Sequence, residues 1–127
     1  MTFSKQRKPT EAETEILKIL WEKQKASVRE VHESLCDHKE SGYTTTLKLM
    51  QIMLDKKLVS RDDTHKIHIY SPLVSQETIR KNSISSLVHH LFSGSSTNLV
   101  MHALGNHQLT KAELQEIEDY IATLKNK

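Results

Sequence analysis

The sequence predicts a mainly α chain with one small β-hairpin, and three observations carry that expectation. Thr10 with Glu13, Ser27 with Glu30 and Thr110 with Glu113 each place a capping hydroxyl three residues before a glutamate, which marks a helix start. Apolar residues recur at helical spacing behind each pair and again over residues 47–54 and 84–92. Alternation of period two occurs once, between Leu58 and Ser71.

In the first predicted helix Ile16, Leu17, Leu20 and Trp21 share a face, and the helix fades in Lys23-Gln24-Lys25. In the second, Val28, Val31 and Leu35 lie at i, i+3, i+7, with an end expected near Lys39-Glu40-Ser41 and Gly42 as the stop. The third, TTTLKLMQIMLDKK, reads Leu47, Leu49, Met50, Ile52, Met53 and Leu54 as packed residues. Its Thr44, Lys48, Gln51 and Asp55 fall at i, i+4, i+7, i+11, a polar stripe with Thr45 beside it; Thr46 is expected to face inward.

Leu58-Val59-Ser60-Arg61 and Lys66-Ile67-His68-Ile69-Tyr70-Ser71 are expected to pair across the turn residues Asp62-Asp63-Thr64-His65, with Pro72 closing the hairpin. Helix then resumes. Ser75 caps a segment whose Ile84, Leu87, Val88, Leu91 and Phe92 form a wide apolar face. A short apolar helix follows from Thr97 to Leu104, with Gly105-Asn106 expected to break it. In the last helix Leu114, Ile117, Ile121 and Leu124 are spaced as the a and d positions of a heptad.

Three helices followed by a hairpin within the first 73 residues is the layout of a winged helix-turn-helix, whose third helix enters the major groove and whose hairpin is the wing. Domains are therefore expected at 1–73, binding DNA, and 74–127, a helical dimerisation domain. Thr44, Thr45, Lys48 and Gln51 are the candidate base and phosphate contacts. Threonine methyls meet thymine methyls, lysine suits guanine or phosphate, and glutamine suits adenine. Arg61, His65 and Lys66 on the wing and Ser27 and Arg29 at the start of the second helix are further candidates. Ile84, Leu87, Val88, Leu91, Phe92, Leu114, Ile117, Ile121 and Leu124 form the expected dimer face, which a two-fold copy would bury.

Composition narrows the alternatives. The chain has 127 residues, 36% hydrophobic and 27% charged, with one cysteine and three glycines. That excludes an internal disulfide, a cysteine-rich zinc site and a glycine-rich phosphate loop. Residues 1–73 hold 13 Lys and Arg against 11 Asp and Glu, a balance of +2, while residues 74–127 are neutral with five of each. The basic residues Lys48, Lys56, Lys57 and Arg61 face only Asp55 within residues 41–61, a local patch of the kind phosphates feel. The N-terminal MTFSKQRKPT lacks the apolar run of a signal peptide, and no stretch approaches a membrane span, so a cytoplasmic location is expected. No nucleophile elbow or H-E-x-x-H motif is present, and neither an enzyme nor a cofactor is expected. His32 with Cys36, and His89, His90, His102 and His107, supply only pairs of metal-ligand types, so no metal site is assigned.

The runs TEAETEILKILWEKQKASVREVHESL, GYTTTLKLMQIMLDKKLVSRD and YSPLVSQE resemble the penicillinase-repressor family of BlaI/MecI-type regulators. The similarity spans Pro9 to about Leu124. It implies a homodimeric repressor on a palindromic operator, relieved when a membrane-bound sensor metalloprotease of the BlaR/MecR type triggers cleavage in the dimerisation domain. Asn98-Leu99 occupies the matching place for that cut. The resemblance also marks departures: Ile52 stands where many relatives have Arg, Lys57 where they have the Gly ending the third helix, and Lys48 where Thr is common. The chain ends ATLKNK without the cysteine cluster of the related copper-responsive CopY-type repressors, so sensing by that device is not expected. Two other readings stand beside the repressor: a winged-helix regulator sensing a small ligand or metal through its C-terminal part, and a protein adaptor that does not bind DNA.

Overall fold

A computed structural model describes residues 8–35 and 42–127. Along the chain lie α1 (Glu11–Lys23), β1 (Ala26–Ser27), α2 (Val28–Leu35), α3 (Tyr43–Asp55), β2 (Val59–Asp62), β3 (Ile69–Pro72), α4 (Gln76–Leu91), α5 (Ser96–Asn106) and α6 (Lys111–Lys125). The architecture is a winged helix, mostly helical with a small antiparallel sheet.

All three capping boxes form. The Glu13 N–H donates to Thr10 Oγ1 at 3.1 Å and the Thr10 N–H returns to Glu13 Oε1 at 3.0 Å. Ser27 and Glu30 exchange the same pair at 3.2 and 2.8 Å, and Thr110 and Glu113 at 3.0 and 2.9 Å. Each satisfies two of the backbone donors that a helix start leaves unpaired. Ser75 caps α4 by accepting from the Thr78 N–H.

Several boundaries differ from the sequence expectation. Gly42, read as the stop of the second helix, is the N-cap of α3, at φ −79° and ψ 165°. The expected end of that helix, and Cys36, lie outside the described residues. The wing strands begin later than expected, and residues 63–68 form a longer tip. Asp62 accounts for this, because its Oδ1 accepts from the N–H and hydroxyl of Thr64 and turns the chain before pairing can extend. The strand β1, which no periodicity announces at two residues, pairs Ala26 with Tyr70 and Ser27 with Ile69. β2 pairs Arg61 with Tyr70 on the other side, so the sheet order is β1-β3-β2. α5 runs through Gly105-Asn106 to Asn106 instead of breaking there. A helical glycine costs only about 1 kcal/mol, and the Asn106 amide donates to the His102 carbonyl at 3.0 Å in that last turn.

The chain forms two compact units, one through Ser83 and one from Ile84. The first extends past residue 73, where the sequence places its boundary, because Val74 is buried and Ile79 packs on the same core. That core joins Ile16, Leu17 and Leu20 of α1, Val31 of α2, Met50 and Met53 of α3 and Tyr70 of β3. The Trp21 indole N–H donates to the Val74 carbonyl at 2.8 Å, and the Leu73 N–H to the Leu58 carbonyl at 2.9 Å, which tie the exit of the wing to α1 and to the base of β2.

Among the described residues, one charge pair lies inside this unit. Glu13 is 2% exposed, and Lys56 Nζ donates to both of its carboxylate oxygens at 2.8 and 2.9 Å. The same carboxylate closes the α1 capping box, so the start of α1 is fastened to the end of α3. The second unit contrasts with the first: none of the residues of α4, α5 and α6 is buried.

Candidate nucleic-acid interface

α3 turns Met50 and Met53 fully inward, which directs Thr44, Thr45, Lys48, Gln51 and Asp55 outward. Thr46 faces inward at 2% exposure, and its hydroxyl lies 2.9 Å from His32 Nδ1, linking α3 to α2. Ile52 departs from the sequence reading. It is 37% exposed, outside the core that Leu47, Leu49 and Leu54 join, and stands on the outer face next to Lys48.

Between α3, the start of α2 and the wing lies an open groove of about 560 Å³. Of the residues singled out in the sequence, it brings together Ser27, Arg29, Gln51, Arg61 and Lys66. Thr44, Thr45 and Lys48 sit beside it on the exposed face of α3, and His65 sits at the wing tip, its Nδ1 3.1 Å from the Thr64 hydroxyl. Ser27 has a prior engagement: it is 8% exposed and its Oγ accepts the Glu30 N–H, so its hydroxyl holds α2 in place.

Six lining residues were not candidates: Val28, Leu47 and Tyr70 belong to the core or pack on it, while Tyr43, Ile67 and His68 are exposed. Tyr43 opens α3 at 41% exposure with the Arg29 guanidinium carbon 5.6 Å from its ring centroid and the His32 ring edge-on at 5.8 Å. Arginine over a tyrosine face is held by the ring quadrupole while its N–H donors stay free for an anion. An aromatic immediately before a run of threonines, at the mouth of a helix, was the available signal for Tyr43. Nothing in the alternating pattern distinguished Ile67 and His68 from strand residues.

The electrostatics favour an anion. Arg29, Arg61 and Lys66 converge on the groove, and its edge holds two carboxylates that are already engaged. Asp63 lies 3.6 Å from Arg61. Hydrogen bonds from the Thr64 N–H and hydroxyl hold the Asp62 carboxyl below its usual range. A hydrogen bond to Tyr70, then the Asp63 charge, push the Arg61 guanidinium above its usual range, so it stays charged. Among the described residues, no three His, Cys, Asp or Glu side chains gather as a metal site would need, and no helix is long and apolar enough to cross a membrane.

The family model described as penicillinase repressor matches residues 9–123. The chain belongs to the penicillinase repressor family. Members of this family are transcriptional repressors, not enzymes. The chain is 23% identical to a penicillinase repressor of Staphylococcus aureus over 116 residues, covering 91% of this chain and 92% of that protein. It is 24% identical to the methicillin resistance regulatory protein MecI of S. aureus strain N315 over 110 residues, covering 87% and 89%. The solution structure of the DNA-binding domain of the repressor BlaI superposes with a TM-score of 0.52 at 18% identity, over 58% of this chain and 90% of that one. Within this penicillinase-repressor frame Lys57 has an unusual backbone, at φ +68°, directly after the C-cap of α3.

Proposed function

We propose that the chain is a homodimeric, sequence-specific repressor that binds a palindromic DNA operator and is relieved by proteolysis in its second unit. The observation that carries the DNA reading is the groove between α3 and the wing, where Arg29, Arg61 and Lys66 surround Tyr43 and Gln51. A duplex seated there places α3 in the major groove, with Lys48, Gln51 and the threonines toward base edges, and the wing cations on the phosphates. Thr44 and Thr45, in the first turn of α3, add a helix N-terminus to the phosphate contacts.

The dimer reading rests on the second unit. Ile84, Leu91 and Leu124 are 54%, 72% and 48% exposed, and Leu87, Leu114 and Ile121 are exposed too, while Val88, Phe92 and Ile117 are half-buried. Apolar faces on three helices with no buried residue call for a partner, and a second copy supplies the two-fold symmetry that a palindromic site mirrors. The proposed cut lies between Asn98 and Leu99, in the first turn of α5, where the Asn98 N–H donates to Ser95 Oγ. Cleavage there detaches α6 and part of the dimer face. A sensor metalloprotease of the BlaR/MecR type is the proposed agent.

Selection of sites from a random duplex library tests the proposal. A two-fold symmetric consensus is expected, with affinity falling about 10³–10⁵-fold between 50 and 200 mM salt if six to ten phosphates are neutralised. Lys48→Ala with Gln51→Ala lowers affinity for that consensus without changing the oligomeric state. An unenriched library and a flat salt response would overturn the reading and leave the adaptor alternative.

A further inference from the structure

We propose that Ile52 is a specificity-determining residue that reads the 5-methyl group of a thymine in the operator. The inference rests on the reading that α3 enters the major groove, and it concerns what that helix recognises there.

On α3, Met50 and Met53 are fully buried, and Leu47, Leu49 and Leu54 pack on the core. Ile52 is the aliphatic residue of this helix that does neither, at 37% exposure. Its position follows from helix geometry. It stands one turn beyond Lys48 and two turns beyond Thr45, on the flank of the outer face opposite Gln51. Gln51 lines the groove toward the wing. Lys48 thus lies between a polar reader on the wing side and an aliphatic one on the far side.

The major-groove edges of the bases present hydrogen-bond donors, acceptors and one apolar group, the thymine methyl. An aliphatic side chain held against those edges gains from that group alone. Against cytosine it would cover the N4 amino donor without offering an acceptor, and an unpaired donor removed from water is costly. Isoleucine suits the task because branching at Cβ restricts its rotamers on a helix, so little freedom is lost on contact.

The experiment removes the methyl and nothing else. The full chain selects its operator from a random duplex library, and each thymine of the selected site is replaced in turn by deoxyuridine. Affinities are measured for the unaltered chain and for Ile52→Ala, an exposed helical position where alanine supports folding. At one position per half-site, loss of the methyl is expected to weaken the unaltered chain about fourfold, the equivalent of one buried methylene. The same replacement leaves Ile52→Ala unchanged. If every deoxyuridine effect is the same in both proteins, Ile52 is an ordinary exposed aliphatic and the inference falls while the operator reading stands. If no site is enriched, both fall.

Discussion

Lys57 shows how much a single backbone angle carries. The Leu58 N–H donates to the Met53 carbonyl at 2.9 Å and the Lys57 N–H to the Leu54 carbonyl at 3.1 Å, with Met53 and Leu58 both buried. This is a Schellman ending, and it demands a left-handed residue at the position Lys57 fills, with φ +68°. A side chain with a Cβ pays for that conformation, so Lys57→Gly is expected to stabilise the fold by about 0.5–1 kcal/mol despite glycine's greater freedom when unfolded. Urea unfolding checks it, and an unchanged or lower midpoint would show that no strain is stored there. The neighbouring Lys56 predicts the opposite sign. Lys56→Met leaves the Glu13 carboxylate buried without its cation, and a loss of about 2–3 kcal/mol is expected. That is less than for a fully enclosed pair, because the Lys56 side chain keeps 18% exposure. Glu13→Gln costs less, since glutamine still accepts the Thr10 N–H and the freed ammonium reaches water. Combining the two substitutions should recover part of the Lys56→Met loss; strict additivity would mean that the pair does not couple.

At the scale of elements, helix starts were legible because a capping hydroxyl and a glutamate three residues on are local chemistry, and all three boxes form as read. Helix ends and strand ends were less legible. Gly42 and Gly105 look like stops, yet one opens α3 and the other lies inside α5, because a glycine permits a break without requiring one. Strand β1 has two residues and exists only because β3 offers an edge, which no local pattern encodes. The polar stripe of α3 was legible from spacing, but the exposure of Ile52 was not, since an apolar residue on a helix reads as core until the packing is known. The wing and α3 should separate experimentally. Lys66→Ala removes a proposed phosphate cation from the wing tip, so affinity should fall uniformly across sequences and the salt slope should shrink by about one. Lys48→Ala with Gln51→Ala should instead relax the preference among sequences. If Lys66→Ala changed the selected consensus, the wing would be reading bases, and its assignment to the phosphates would be wrong.

For the whole molecule the contrast between the two units sets the argument. Among its described residues the first unit buries a dozen apolar side chains and holds a charge pair inside, whereas α4, α5 and α6 bury none. On the proposed dimer, the second unit depends on association in a way the first does not. Leu87 and Leu91 stand one turn apart on α4, at 38% and 72% exposure, in the middle of its apolar face. Replacing both by Asp puts two like charges where a two-fold partner would bring two more, and the burial of unpaired carboxylates is prohibitive. Sedimentation should then show monomers, while the first unit, whose core neither substitution touches, keeps its α3–wing groove. A single DNA-binding unit loses the second half-site and with it the effective concentration that a linked pair provides, so operator affinity should fall about 10²–10⁴-fold. Binding to a single half-site should be nearly unchanged. Cutting the chain at Asn98-Leu99 should reproduce this pattern, with weak dimerisation, a preserved half-site affinity and a lost operator. A cut chain that still sediments as a dimer and holds its operator would break the link between proteolysis and derepression, and would direct attention to a bound ligand as the signal.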